Sequence, residues 1–166
     1  RHSAAHIMAA AVNRLFPSVK FDIGPAVEDG FYYDFDMEHR LVPEDLERIE
    51  DEMRRIVIEK APFVRRELSR EEARSLLQAA GQNYKLERLD DIPEGEAIGF
   101  YECGDFSDLC RGPHVENSGQ IGVFRLLSIA GSYYRGKDEN PMLQRIYGTS
   151  FHDKKGLDAY LKAIEE

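Results

Sequence analysis

The chain has 166 residues, of which 42% are hydrophobic and 32% charged, a composition typical of one globular domain. Its formal net charge of −9 argues against binding nucleic acid by charge alone, because phosphate neutralisation requires clustered Lys and Arg. No apolar run approaches the roughly 18 residues of a membrane span. With no signal peptide and too few cysteines for a disulfide framework, the expected location is the reducing cytoplasm.

The first third of the chain predicts a helix, a hairpin and a second helix. Residues 2–15 are rich in Ala, Met, Leu and Ile, which favours a helix. Residues 19–36 predict a hairpin whose type I′ turn is Asp29-Gly30. Residues 43–60 carry Pro at the first helical position and apolar residues at helical spacing. Because no initiator Met precedes the first helix, we expect the chain to be a segment of a longer protein.

The rest of the chain predicts strands and two further helices. Ser69 and Glu72 have the capping-box spacing and begin a helix that ends near Gly81, and Asp153 is placed to cap a closing helix through Glu166. The predicted strands are residues 63–68, 84–89, 97–103, 120–135 and 143–151. Helices and hairpins without a βαβ rhythm favour an α+β fold in two layers, with a mostly antiparallel sheet packed against helices.

Two short motifs carry the residues best suited to chemistry. His2 and His6 are four residues apart and share one face of the first helix. Cys110 and His114 are also four apart, but a Gly-Pro pair between them excludes a helix and predicts a loop. One thiol and three imidazoles suit tetrahedral zinc. From spacing alone, both a shared metal site and ordinary packed side chains remain open.

Several segments together resemble a known family. They are HSAAH, DIGPAVEDGFYYDFD, NYKLERL, DFSDLCRGPH, AGSYYRG and the C-terminal stretch that begins MLQRIYGTSF. The whole chain resembles the editing domain of bacterial-type threonyl-tRNA synthetases. Its HxxxH…CxxxH pattern is similar to that of alanyl-tRNA synthetase editing domains and of free-standing alanine trans-editing proteins. The resemblance implies an editing domain over residues 1–150 and a connector helix over residues 151–166, leading to a class II catalytic core.

The implied activity is hydrolytic proofreading, the deacylation of mischarged Ser-tRNA(Thr). A missing methyl group is worth only about 1–3 kcal/mol, so a threonine-activating site rejects serine by no more than roughly 10–200-fold. A second site that hydrolyses the seryl ester overcomes this limit. The implied partners are the 3′ acceptor end of tRNA(Thr) carrying serine and the ATP-binding catalytic core of the same chain. The parent enzyme is expected to be a homodimer with no membrane association.

The resemblance also implies which side chains line the pocket. The expected catalytic residues are His2, Lys85, Asp108 and His114, and the expected substrate-binding residues are Tyr33, His6 and Cys110. His2 would activate water or contact the terminal ribose, and Lys85 would stabilise the oxyanion or hold the 3′ end. Asp108 would orient water or bind the serine ammonium group, and Tyr33 would bond the substrate hydroxyl. On sequence alone, Lys85 and Asp108 are instead predicted to be a solvated surface pair.

Zinc and two other functions remain open at this stage. The alanyl-type relatives are zinc proteins, whereas in the threonyl branch the same residues are understood to work largely through bound water. The candidate ligands are His2, His6, Cys110 and His114. One alternative is a non-catalytic module that docks the tRNA acceptor arm through Arg111, Arg125, Arg135, Lys137 and Arg145. Residues 111–155 carry +3 while the remainder carries −12. The other is a structural zinc-binding domain with four closed ligands.

Overall fold

The computed structural model describes residues 1–110 and 114–165. Arg111, the predicted Gly112-Pro113 turn and Glu166 lie outside the described residues. The helices are α1 (His2–Leu15), α2 (Pro43–Glu59), α3 (Arg70–Ala79), α4 (Asn83–Asp90) and α5 (Lys154–Glu165). The strands are β1 (Lys20–Phe21), β2 (Ala26–Val27), β3 (Gly30–Asp36), β4 (Phe63–Leu68), β5 (Ile98–Cys103), β6 (Phe106–Leu109), β7 (Val123–Tyr133) and β8 (Met142–Phe151).

The strands form two sheets in the part of the chain that the structure describes. The larger sheet has the order β1-β3-β8-β7, with β2 also paired to β3, and the smaller sheet has the order β4-β5-β6. All pairings between these strands are antiparallel. With helices packed on them, the sheets confirm the predicted α+β fold. Within the described ranges, no helix combines the length and the apolar character needed to cross a membrane.

The first helix is buried on nearly all of its faces. Every residue from Ser3 to Val12 is buried, and the helix packs on α2, β3 and β6. Its many alanines keep it thin, so neighbouring elements approach closely, and a helix that is apolar all round belongs inside a core. The N-terminal turn of α1 therefore presents its polar side chains to β6 of the smaller sheet and to the segment that follows it.

The predicted helix caps are present. The Ser69 hydroxyl accepts a hydrogen bond from the Glu72 amide at 3.1 Å, which begins α3 as the capping-box spacing indicates. The Asp153 carboxylate accepts a hydrogen bond from the Gly156 amide at 2.8 Å and caps α5. Local side-chain chemistry therefore sets these two helix starts.

The prediction of a strand over residues 84–89 is wrong, because this segment lies within α4. Its Leu, Lys, Glu and Arg residues are strong helix formers. Tyr84, Lys85 and Leu89 are its buried residues, and the spacing of Lys85 and Leu89 by four residues places them on one helical face. The short segment contains apolar residues at both strand and helix spacings, so tertiary packing decides between the two.

The predicted hairpin is present, but its turn lies one residue earlier than expected. Val27 pairs with Gly30, which makes Glu28 and Asp29 the two loop residues, and Asp29 has a φ of 58°. Gly30 is a strand residue instead. A Cβ atom on Gly30 would lie 2.5 Å from the carbonyl oxygen of Gly148, so this glycine permits the close approach of β3 and β8.

Candidate active site

Three side chains of metal-ligand type meet at the N-terminal end of α1. His2 Nε2 lies 3.4 Å from Cys110 Sγ, and His114 Nε2 lies 3.3 Å from the same sulfur. Ligand atoms of all three residues lie within 4.8 Å of one another. His2, the first residue of α1, supplies one imidazole, and Cys110, directly after β6, supplies the thiol. We call His2, Cys110 and His114 the thiol–imidazole cluster.

Packing holds the His114 ring in place. It stacks on Phe63 with ring centroids 4.8 Å apart and meets Tyr101 edge-on at 4.5 Å. Its Nδ1 atom is hydrogen-bonded to Ser3 Oγ at 2.9 Å. Ser3, Phe63 and Tyr101 carry no local sequence signal for this role, because each gains it only through the tertiary approach of α1 and the smaller sheet.

The cluster imidazoles are uncharged at neutral pH. Burial lowers the pKa of His114 to about 3, with further lowering from the neighbouring His6 and His2. Burial also lowers the pKa of His2, and the carboxylate of Asp108 opposes this only in part. Each neutral ring has one nitrogen with a lone pair, which can accept a proton or bind a metal.

His6 lies beside the cluster but its ring nitrogens are not part of it. Its ring packs edge-on against Phe63 and Phe106, with centroids 5.1 and 4.8 Å away. His6 Nδ1 lies 4.0 Å from Asp108 Oδ2, and within the described residues neither ring nitrogen has a hydrogen-bond partner. Burial lowers the pKa of His6 to about 4, so this imidazole is also neutral.

A buried ion pair lies on the other side of His6. The Lys85 ammonium contacts Asp108 Oδ1 at 2.7 Å, and the hydroxyl of Tyr33 donates to Asp108 Oδ2 at 2.7 Å. Lys85 is 6% exposed and Asp108 8%. The sequence-only prediction of a solvated surface pair is therefore wrong, since α4 packs Lys85 inward against β6. We call Tyr33, Lys85 and Asp108 the buried charge network.

The network keeps the carboxyl group of Asp108 ionised. Burial acts to raise the pKa of Asp108, but the Lys85 ammonium and the hydrogen bond from Tyr33 outweigh it, and the pKa lies below its usual value. The pKa of Tyr33 is raised well above its usual value by burial and by the Asp108 carboxylate. A substrate hydroxyl that bonded Tyr33 would have to replace this existing hydrogen bond.

Two of the three ligand–ligand distances in the thiol–imidazole cluster match those expected around a zinc ion. Ligand distances of about 2.0–2.3 Å and tetrahedral angles place nitrogen and sulfur ligands roughly 3.5 Å apart. The two observed nitrogen–sulfur distances are 3.4 and 3.3 Å. Of the four predicted ligands, the group found among the described residues contains His2, Cys110 and His114 but not His6. Three ligands with an open fourth position are typical of a catalytic rather than a closed structural site.

A surface cleft opens beside His2 of this cluster. It has a volume of about 410 Å³ and is lined by His2 and Ser3 on the α1 side and by Ser150 and Phe151 at the end of β8. Ligand sites usually occupy about 300–1,000 Å³. The Arg1 guanidinium lies 5.0 Å from the Phe151 ring and places a positive charge at the same edge. The same guanidinium lies 3.6 Å from Asp29 Oδ1, so this carboxylate balances part of the positive charge.

Comparisons with known proteins agree with the resemblance found in the sequence. The family model described as "Threonyl and Alanyl tRNA synthetase second additional domain" matches residues 98–147, which include the thiol of the cluster. The chain is 57% identical to a threonine–tRNA ligase of Geobacillus kaustophilus, 53% to one of Clostridioides difficile and 52% to threonine–tRNA ligase 1 of Bacillus subtilis. Each comparison covers all 166 residues of this chain.

The resemblance to the editing domain of bacterial threonyl-tRNA synthetases is confirmed. The chain spans about a quarter, 26%, of the length of the curated threonine–tRNA ligases that it matches. The site residues predicted from this resemblance lie in one region of the structure. His2, Cys110 and His114 form one group, and His6 lies next to both His114 and the Lys85–Asp108 pair.

Proposed function

We propose that this chain is a hydrolytic editing domain that deacylates seryl-tRNA(Thr). The observation that carries the proposal is the buried Lys85–Asp108 pair directly beside the histidines of α1. Charged groups held in fixed positions away from water are suited to stabilising the charge that develops during ester hydrolysis. The similarity to bacterial threonine–tRNA ligases supports an aminoacyl-tRNA ester as the substrate class.

In this proposal His2 activates the attacking water. It lies at the mouth of the cleft, it is partly exposed, and its lowered pKa leaves the ring neutral and able to accept a proton. General base catalysis of this kind contributes typically 10²–10⁴-fold in rate. The deeper His6 supports the floor of the site, since its ring is packed between Phe63 and Phe106.

Lys85 and Asp108 provide the electrostatic part of the mechanism. The Lys85 ammonium is the positive group best placed to stabilise the ester oxyanion, and Asp108 holds it in position through their 2.7 Å contact. Tyr33 acts on Asp108 through its hydrogen bond and is a positioning residue. Removing one donor from an oxyanion site typically costs about 10²–10³-fold in rate.

Zinc would be held by His2, Cys110 and His114. A bound zinc would supply a Lewis acid and a water of lowered pKa at the open fourth position. Tyr33, Lys85 and Asp108 act as described above with or without the ion, because none of them belongs to the thiol–imidazole cluster. We therefore propose that the site is able to bind zinc. Treatment with a chelator distinguishes hydrolysis by water and side chains alone from metal-assisted hydrolysis.

The division of the chain is also part of the proposal. Residues 1–150 form the hydrolytic unit, and residues 151–166 form a connector, containing α5, towards the catalytic core of a longer, homodimeric ligase. The packing of α5 on β7 and β8 supports a fixed geometry for this connector. Its Tyr160 ring lies 5.4 Å from the Phe151 ring, which also lines the cleft.

Single-turnover deacylation of Ser-tRNA(Thr) tests the proposal. His2→Ala should lower the rate by about 10²-fold or more while the protein remains folded, because the general base is lost. His39→Ala is a matched control, since His39 is bonded to Asp45 at the start of α2 and lies outside the site. Equal rates for His2→Ala and the parent chain would contradict the assignment.

A deacylation rate that is unchanged by a chelator supports side-chain chemistry, and a rate that falls with chelator while the chain stays folded supports zinc.

A further inference from the structure

We infer that Ser3 is a positioning residue that fixes the ring orientation and the tautomer of His114. Ser3 lies between the two histidines of the HSAAH motif, in the first turn of α1, and none of its contacts was expected from the sequence. The consequence for catalysis rests on the proposed function, whereas the tautomer itself does not.

The Ser3 hydroxyl connects α1 to the segment that carries His114. Ser3 is 5% exposed, so its hydroxyl is largely shielded from water. Its Oγ atom lies 2.9 Å from His114 Nδ1 and accepts a hydrogen bond from the Val115 amide at 3.0 Å. A single side chain therefore holds both the imidazole and the backbone amide of two consecutive residues.

The direction of the bond to His114 follows from the hydrogen-bonding capacity of the hydroxyl. The amide of Val115 can only donate, so it occupies one lone pair of Ser3 Oγ. The hydroxyl proton then needs an acceptor, and among the residues that the structure describes, the one hydrogen-bonded to Ser3 Oγ and able to accept is His114 Nδ1. Donation to Nδ1 leaves the proton of the neutral ring on Nε2.

This tautomer determines what His114 offers to the site. In the metal-free chain its Nε2–H group faces Cys110 Sγ at 3.3 Å, so His114 is a hydrogen-bond donor to the sulfur, and zinc binding at Nε2 would require this proton to move to Nδ1. The lone pair needed to accept a proton from water is then supplied by His2 and not by His114. Ser3 thus divides the roles of the two cluster imidazoles, with His2 as base and His114 as a fixed donor.

Nitrogen-15 NMR of the chelator-treated chain tests the assignment directly. The chemical shifts of the two His114 ring nitrogens distinguish a protonated nitrogen from one with a lone pair. The structure predicts a protonated Nε2 and an unprotonated Nδ1 in the parent chain. A protonated Nδ1 with an unprotonated Nε2 would overturn the inference, and this measurement requires no variant.

Two substitutions extend the test. Ser3→Ala removes the hydroxyl and should give a mixture of His114 tautomers, whereas Ser3→Thr retains the hydroxyl and should restore the parent spectrum. Retention of the parent tautomer in folded Ser3→Ala would overturn the role of Ser3. Losing a partner that orients a site histidine typically costs about 10–100-fold. We expect Ser3→Ala to lower kcat for deacylation to this extent with little change in KM, and Ser3→Thr to recover it.

The two proposals can fail separately. If the parent chain shows the predicted tautomer but does not deacylate seryl-tRNA, the proposed function is wrong and the positioning role stands. If the chain deacylates seryl-tRNA and Ser3→Ala lowers neither kcat nor the fraction of the Nε2-protonated tautomer, the positioning role is wrong and the proposed function stands.

Discussion

Lys85 and Asp108 show how burial changes the cost of losing one charge. At the surface, removal of one such partner changes stability by no more than about 0.5 kcal/mol, which is what the sequence-only prediction implied. Here both side chains are almost entirely shielded, and a 2.7 Å contact joins them. Removing one partner leaves the other as an uncompensated charge in a medium of low dielectric constant. Stability and activity are therefore coupled at this pair.

Lys85→Ala should lower the free energy of unfolding by about 3–5 kcal/mol, because it leaves Asp108 buried and unpaired. Urea denaturation of the parent and the variant measures this difference. The double variant Lys85→Met with Asp108→Asn should recover part of the loss, since it removes both charges, but it should not recover deacylation.

The Arg66–Glu102 pair provides a matched control. It has the same 2.7 Å separation, but its side chains are 51% and 35% exposed. Arg66→Ala should therefore change the free energy of unfolding by no more than about 1 kcal/mol. A loss for Lys85→Ala as small as that for Arg66→Ala would show that burial of the pair does not govern its contribution.

At the level of secondary-structure elements, the sequence pattern did not show whether Lys85 lies in a helix or in a strand. In a strand over residues 84–89, Lys85 and Leu89 would lie on one face because they are four residues apart, and in a helix they do so as well. The local pattern therefore does not distinguish the two, and the docking of α4 decides. Tyr84 bonds Asp36 at 2.5 Å and Arg88 bonds Asp22 at 2.8 Å, and these contacts depend on residues distant in sequence.

Other elements could be predicted because their signals are local. The capping box of α3, the Asp153 cap of α5 and the apolar periodicity of α2 depend on neighbouring residues alone. Strand β6, which carries Asp108, was not predicted, although the two-residue turn Gly104-Asp105, with a φ of 63° at Gly104, is a recognised hairpin dipeptide. The site residue on this strand was therefore identified by resemblance and not by its setting.

The start of α2 should show a pH-dependent stability. Burial acts to raise the pKa of Asp45, but the Val42 amide, His39 and Arg48 outweigh it, so the folded pKa lies below its usual value. A carboxyl group with a lowered folded pKa stabilises the protein above the unfolded pKa of about 4. This stabilisation is lost as pH falls through the lower, folded value.

Asp45→Asn checks this dependence. The free energy of unfolding should fall less between about pH 6 and pH 3 in the variant than in the parent, because the variant lacks the titrating group. Urea denaturation at both pH values measures the two differences. Equal losses on acidification would show that Asp45 does not contribute.

At the scale of the whole molecule, the candidate site depends on contacts between distant parts of the chain. The pairs of residues spaced by four indicated His2, His6, Cys110 and His114, because helix and loop geometry bring each pair together. The sequence could not show that His6 faces Asp108 rather than the thiol, because this depends on how β6 lies against α1. Long-range packing also creates the cleft beside His2, which no local pattern encodes.

The closing helix should contribute to stability without contributing to catalysis. Leu157 is 5% exposed, whereas Ile164 on the same helix is 51% exposed. Leu157→Ala should lower the free energy of unfolding by about 2–5 kcal/mol, and Ile164→Ala should change it by about 0.5 kcal/mol or less. Both variants should retain the deacylation rate per folded molecule. Loss of that rate in folded Leu157→Ala would contradict the division of the chain at residue 150.

The central claim is that this chain hydrolyses a mischarged ester and spares the correct one. The most direct measurement is the single-turnover deacylation of Ser-tRNA(Thr) and Thr-tRNA(Thr), side by side, with the same preparation of the chain. We expect faster hydrolysis of the seryl ester by at least about 10-fold, because the additional methyl group of threonine must be excluded from the site. Equal rates for the two esters, or hydrolysis of neither, would contradict it.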